Sequence, residues 1–171
     1  MRLRLFILSL LALSGVISVP VKAQSEKPFV LEKFFAGDLV AQGHFTNVWT
    51  GERRDMTVQM KGKWDGVALT LKEDFVYSDG EKAQKTWVFT KLGENLYSGM
   101  REDVTKEADI RTNGNEISLS YTAKIGSFDL DFRDRLTRTD AMTVHNTADV
   151  YFLGFIKVGE VDLTMTRKSR P

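Results

Sequence analysis

From Leu39 onward the chain alternates apolar and polar side chains in short runs. Side chains in a strand repeat every two residues, so each run predicts a strand with one dry and one wet face. Met56, Val58, Met60, Gly62 and Trp64 share one face, and Thr57, Gln59, Lys61 and Lys63 the other. The split recurs in Val67, Leu69, Leu71, Phe75 and Tyr77 against Ala68, Thr70, Lys72 and Asp74. It returns in Ile117, Leu119, Tyr121, Ala123 and Ile125 against Ser118, Ser120, Thr122 and Lys124, then in Phe128, Leu130 and Phe132, and finally in Val161, Leu163 and Met165. The pattern predicts one short helix, Phe29 to Phe35, with Gly37 placed to end it. About eight to ten strands joined by short turns point to an all-β fold, an antiparallel meander closed into a barrel or folded as a sandwich.

Turn chemistry carries the pattern to residue pairs. Asp65-Gly66 as a two-residue hairpin loop sets Trp64 opposite Val67, Met60 opposite Leu71, Val58 opposite Glu73 and Met56 opposite Phe75. A two-residue loop after Tyr77 would turn Trp87 and Phe89 outward. A three-residue loop, Ser78-Asp79-Gly80 with Gly80 left-handed, turns them inward and is preferred, because one apolar face must be buried. It sets Lys85 opposite Glu73. A similar loop at Gly93-Glu94-Asn95 sets Phe89 opposite Gly99, Trp87 opposite Arg101 and Lys85 opposite Asp103.

The inward face of three neighbouring strands thus carries Glu73, Lys85, Arg101 and Asp103 beside Trp87 and Phe75. An isolated buried charge is too costly to persist. Either these four neutralise one another as a structural network, or the lumen holds water or the polar end of a ligand. With Tyr121, inward on its own strand, they are the candidate cavity residues. Asp134 is also placed inward, sharing the parity of Phe132 and Leu136 in an otherwise solvated charge cluster.

Composition narrows the setting. Arg2 and Arg4 precede an apolar run, Leu5 to Val21, that ends in Val21-Lys22-Ala23. This is the form of a secretory signal peptide over residues 1–23, cleaved before Gln24, with a single barrel domain over 24–171. An uncleaved membrane anchor is the alternative, although the run is short for a span and diluted by serines, Gly15 and Pro20. Cleavage removes three basic residues and no acid, turning a formal charge of +1 into about −2. That balance argues against a nucleic-acid partner. The chain has no cysteine, which excludes disulfides and a lipidated cysteine. The expected setting is therefore periplasmic and not lipidated. Clean alternation also suits an outer-membrane barrel, but the chain ends in a polar, basic segment and its aromatics are not gathered into two girdles.

Enzyme motifs are sparse. The two histidines, His44 and His145, fall on the polar side of their strands, too few and too far from other ligands for a metal. No nucleophile elbow, zinc-protease helix or phosphate-binding loop occurs. No catalytic residue, metal ligand or cofactor is assigned.

Phe34-Phe35-x-Gly37-x-Leu39-x-Ala41-x-Gly43-x-Phe45, Trp64-Asp65-Gly66, Glu73-x-Phe75-x-Tyr77-x-Asp79-Gly80, Trp87, Tyr97-x-Gly99, Asp103-Val104 and Val158-Gly159-Glu160-Val161 follow one another along the chain. In that order they resemble the uncharacterised Gram-negative envelope family known as domain of unknown function 3833 (DUF3833). The resemblance implies a lipocalin-like (calycin-type) β-barrel in the cell envelope, in many members a lipoprotein, and brings no established activity. The chain departs from the family pattern in lacking the lipidated cysteine, in Arg101 and Lys106 where small residues are expected, and in Arg135 where an aromatic is expected.

Three functions fit. The first and preferred is a monomeric periplasmic binding protein or carrier whose lumen takes a hydrophobic, lipid-like small molecule, with the inward charges gripping its polar end and a peripheral contact with the envelope membrane open to it. The second is an enzyme acting on a lipid-like substrate, with Glu73 or Asp103 as general base. The third is an envelope assembly factor working through its outer surface.

Overall fold

The computed structural model describes residues 28–169; the predicted signal segment lies outside the described residues. A short helix, α1 (Leu31–Phe35), precedes ten strands: β1 (Gly37–Asn47), β2 (Arg53–Trp64), β3 (Ala68–Tyr77), β4 (Lys82–Lys91), β5 (Leu96–Met100), β6 (Ala108–Asn113), β7 (Glu116–Ile125), β8 (Phe128–Arg138), β9 (Thr143–Phe152) and β10 (Ile156–Arg167). Each strand pairs antiparallel with the next, and β1 pairs with β10, so the meander closes into a barrel with no free edge. The predicted all-β barrel is the observed one. Its outer face carries exposed polar residues such as Gln59, Lys61 and Lys63, the reverse of a lipid-facing barrel wall.

The β3–β4 register is as predicted, with Glu73 opposite Lys85, Leu71 opposite Trp87 and Gly80 at φ +86°. So is Phe89 opposite Gly99. The β2–β3 register is not. Trp64 faces Leu69, Met60 faces Glu73 and Val58 faces Phe75, two residues from expectation. Asp65 caps a wider turn, its Oδ1 accepting from the backbone N–H of Val67 and of Ala68 at 2.9 and 2.8 Å, so Asp-Gly closes a four-residue loop and not a tight pair. Because the slip is two and not one, each side chain keeps its face. Val67, predicted inward, lies in this turn and is 65% exposed. The helix begins at Leu31 and not at Phe29, since Phe29 donates its backbone N–H to Gly114 across the barrel end.

The two ends of the barrel differ. At one, α1 lies across the opening as a plug. Phe29, Leu31, Phe34 and Phe35 are all buried, the three phenylalanine rings in mutual contact. Arg167, at the end of β10, donates to the carbonyls of Lys33 and Ala36 and fastens α1 from outside. Gly62 of β2 passes under the helix so closely that a Cβ there would run into the Phe35 carbonyl oxygen. At the other end the turns leave apolar side chains in water: Trp49 between β1 and β2, Phe128 at the start of β8, and Leu153 and Phe155 between β9 and β10, each more than half exposed. These turns follow one another around one arc of the rim.

The wall has one seam. The β4–β5 ladder covers only Val88–Lys91 against Tyr97–Met100, and β5 stops at Met100. The following loop, 101–107, runs beside β7 instead: Val104 bridges Ala123, and Lys124 donates its backbone N–H to the Asp103 carbonyl at 2.8 Å. The pairs expected as ladder partners, Trp87 with Arg101 and Lys85 with Asp103, therefore meet through side chains across this seam.

Candidate functional site

Inside the barrel is a cavity of about 370 Å³, lined by side chains from every strand except β5 and from α1. Near the plugged end its walls are apolar, with Phe35, Met60, Leu71, Phe89 and Ile117. Aromatic rings form one side: Trp87 stacks on Phe89 and meets Tyr121 edge-on at 5.0 Å, and Tyr121 stacks on Phe132 at 4.9 Å. Towards the open end Phe75, Tyr77, Arg54 and Ile125 line the way out.

A belt of polar groups interrupts this apolar lining. Six of the seven predicted site residues, Glu73, Lys85, Arg101, Trp87, Phe75 and Tyr121, line the cavity. Asp103 does not; it stands behind them in the seam and holds the two cations. Arg101 donates from Nε and Nη2 to its carboxylate at 2.6 and 3.2 Å, and Lys85 Nζ donates to Oδ2. Burial alone would raise the Asp103 carboxyl, but these two partners outweigh it and hold it below the usual range. The Arg101 guanidinium lies over the Trp87 ring at 4.7 Å and near Tyr121 at 5.3 Å.

Glu73 is provided for differently. It is 7% exposed, and its nearest cation is Arg101 Nη1 at 4.0 Å, too far for a hydrogen bond. Burial therefore dominates, only partly offset by Arg101 and Lys85, and pushes its pKa up to about 7. Asp134 of β8 is raised to about 6 by burial, against a hydrogen bond from Asn146 and the charge of Arg101. Asn146, on the inward face of β9 with Val144, Ala148 and Val150, escapes notice in the sequence, although the parity of those neighbours carries the signal. Arg54 is also absent from the predicted set. It lies over the Tyr77 ring at 3.8 Å and pairs with Asp79 and Glu81 in the β3–β4 turn.

Chemically the lumen offers a large apolar volume and, part-way down, a compact polar group on one side. Among the described residues no three His, Cys, Asp or Glu converge to hold a metal ion. No helix of the described residues is long and apolar enough to cross a membrane, which does not bear on strands.

The profile of one family, described as "Protein of unknown function (DUF3833)", matches residues 9–167. The chain belongs to the DUF3833 family. No curated protein is similar to it in sequence. Solved structures share its fold at low identity. The S-type phycobiliprotein lyase CPES from Guillardia theta superposes with a TM-score of 0.63 at 8% identity, covering 82% of this chain and 92% of its own. A protein of unknown function from the DUF3598 family of Nostoc punctiforme superposes with a TM-score of 0.60 at 12% identity. That match covers 84% of this chain but only 51% of the Nostoc chain. At such identities the likeness shows a common barrel architecture and nothing about the occupants of the lumen.

Proposed function

We propose that this barrel is a carrier for a hydrophobic, lipid-like small molecule, held in the lumen and handled in the periplasm. The observation that carries the reading is the cavity: its volume and its largely apolar, aromatic lining with a few convergent polar groups are those of a small-molecule site. The fold lends support by closing one end with a plug and leaving the other lined by partly open side chains, so a ligand has one way in. The seven candidate residues divide the work: Trp87, Phe75 and Tyr121 form apolar wall, Glu73, Lys85 and Arg101 face the ligand's polar end, and Asp103 holds the two cations in place.

The setting is part of the same proposal. The charged start and apolar run of residues 1–23 would direct export and leave a mature protein beginning at Gln24, without an acyl chain. A peripheral membrane contact is supported by the rim, where Trp49, Phe128, Leu153 and Phe155 present aromatic and aliphatic side chains around the open end. The closed sheet, with no edge strand to recruit a partner, favours a monomer.

Native mass spectrometry of protein recovered from the periplasm, followed by organic extraction, tests the reading. The expected result is a mass beginning at Gln24 with a co-purified apolar molecule, and binding of N-phenyl-1-naphthylamine by stripped protein that a lumen-filling Leu119→Trp change abolishes. A stripped protein that binds no apolar probe, or whose probe binding survives Leu119→Trp in a folded variant, overturns it. A start away from Gln24 overturns the export part alone.

A second reading, an enzyme acting on a lipid-like substrate, is favoured by one observation: Glu73, facing the cavity with a pKa near neutrality, has the properties of a general base. A turnover lost in Glu73→Gln with ligand binding unchanged would establish it over the carrier.

A further inference from the structure

Among the described residues, two buried acceptor atoms on cavity-lining side chains have no hydrogen-bond partner. Asn146 Nδ2 donates to Asp134 Oδ1 at 2.9 Å, which fixes the amide's orientation, because a carboxylate oxygen accepts and does not donate. The same contact leaves Asp134 Oδ2 and Asn146 Oδ1, the other oxygens of the linked pair, both buried and neither hydrogen-bonded. Asn146 is 5% exposed, and both residues line the cavity. A buried acceptor left unmatched is costly, and native structures seldom keep two together without an occupant.

The cations near them are not open to a ligand in the same way. Three line the cavity among the described residues, and each has a carboxylate already: Arg101 and Lys85 share Asp103, and Arg54 has Asp79 and Glu81. The Arg101 face is further covered by Trp87 and Tyr121. Among the described residues Glu73 is a third acceptor without a hydrogen bond of its own, with Arg101 Nη1 at 4.0 Å. The charged donors of the belt are thus already engaged by carboxylates, and the acids of the belt, Glu73, Asp103 and Asp134, outnumber Arg101 and Lys85.

From this arrangement we infer that the lumen selects amphiphiles whose polar head donates hydrogen bonds, a protonated amine above a hydroxyl, and discriminates against carboxylate heads. A primary ammonium has three donors, more than the two unmatched acceptors require, and its charge complements the acids. A hydroxyl satisfies one acceptor. A carboxylate would bring further acceptors to a pair of acceptors already unmatched and would add like charge beside Asp134. The inference rests on lumen binding as proposed above and names the chemistry of the ligand's head.

Displacement of N-phenyl-1-naphthylamine by decylamine, decanol and decanoate at pH 7.5 tests it, since the three share one chain and differ only in the head. Decylamine is expected to displace the probe at about ten-fold lower concentration than decanoate or better, with decanol between. In Asp134→Leu the gap should shrink to about two-fold while the probe itself still binds. Asn146→Leu removes only the neutral acceptor and is expected to weaken decanol and decylamine together, which provides a second reading should the first variant not fold. Decanoate equal to or stronger than decylamine overturns the inference. So does a preference unchanged in folded variants, or no preference at all, the outcome expected if ordered water is the pair's only occupant. Absence of naphthylamine binding would instead remove the lumen reading itself and this inference with it.

Discussion

Glu32 and Glu73 are both glutamates, both more than nine-tenths buried, and they are shifted in opposite directions. Glu32 belongs to the plug itself, on α1 at the closed end. Its burial would raise it, but Lys91 Nζ and the Tyr97 hydroxyl each donate to it at 2.6 Å, and together they pull it below the usual carboxylate range. Glu73, in the polar belt, has no donor within hydrogen-bond distance among the described residues, and burial lifts it to about 7. Burial alone does not decide whether a buried acid is ionised; the donors supplied to it do. At the plugged end the polar groups are matched and structural, whereas in the lumen they are left partly unmatched, as a binding site leaves them.

The largest effect that can break this contrast is at the plug. Phe35→Ala removes a ring that packs edge-on against Phe34 at 5.0 Å and is 3% exposed. The expected loss is about 3–5 kcal/mol, read from the urea midpoint at constant slope. Gly62→Ala attacks the same packing from the sheet side, where the new methyl would strike the Phe35 carbonyl, at about 1–3 kcal/mol. Losses under about 1 kcal/mol in both would mean that the helix does not seal the barrel.

Tyr97→Phe is the next test. It deletes one of Glu32's two side-chain donors and leaves Oε2 buried without a partner, at about 1–3 kcal/mol. It also changes the acid limb. Because Glu32 is lowered when folded, its stabilisation is complete above the unfolded value of 4.5 and is lost as pH falls through the folded value. In the variant the folded value moves back toward 4.5, so the acid limb should become shallower and the gap to the wild type should narrow as pH falls below 4.5. An acid limb that does not change would separate Glu32 from Tyr97.

What is legible in the sequence, and what is hidden there, follows the same division. Facing is set by parity, and parity survives an error of two in loop length. It therefore places Glu73, Lys85, Trp87 and Tyr121 inside even though the Asp65 turn reads as two residues and holds four. The β3–β4 register is legible to the residue because Gly80 has to be left-handed and Trp87 has to be buried, and only one loop length allows both. Across the seam the count names pairs that do meet, Lys85 with Asp103 and Trp87 with Arg101, but it assigns them to a ladder that is not there. Arg101 and Asp103 lie after β5 has ended, so no ladder exists to count along, and the lumen contacts of Arg101 depend on where the 101–107 loop crosses to β7. Glu32 is hidden for a similar reason: nothing local in a five-residue helix shows that its side chain meets Tyr97, 65 positions away.

Glu73→Gln sharpens the lumen side of the contrast. Glu73 is raised when folded, so its contribution to stability is complete below the unfolded value of 4.5 and is lost as pH rises through about 7. The glutamine variant should match the wild type near pH 4 and exceed it near pH 8, by on the order of 1–2 kcal/mol, since the buried charge that the wild type must carry is gone. Asp134, raised to about 6 from 3.8, should keep a residual slope of the same sign in both proteins. If the variant were instead the less stable protein at pH 8, Arg101 at 4.0 Å would have to be a true ion-pair partner, and the difference between the two glutamates would narrow to one of degree.

The smallest effect comes from removing one cation at each end. Arg54→Met at the mouth breaks ion pairs to Asp79 and Glu81 at 2.8 and 2.5 Å, geometrically the equal of anything in the plug. Those carboxylates are more than half exposed, however, and water takes over from the guanidinium when it goes. The expected cost is about 0–1 kcal/mol, and it should fade in molar salt, where screening acts within a few ångströms. Lys91→Met at the closed end breaks a single ion pair of 2.6 Å and strands Glu32, whose side chain is only 10% exposed, with Tyr97 as its remaining side-chain donor. It should cost more than Arg54→Met even though that change breaks both pairs at the mouth. Salt should recover little of the difference, because the stranded carboxylate is out of reach of counterions. Measuring both variants by urea unfolding at low and high salt decides it. Equal costs with equal salt dependence would show that the closed end's polar groups are as well solvated as those of the mouth.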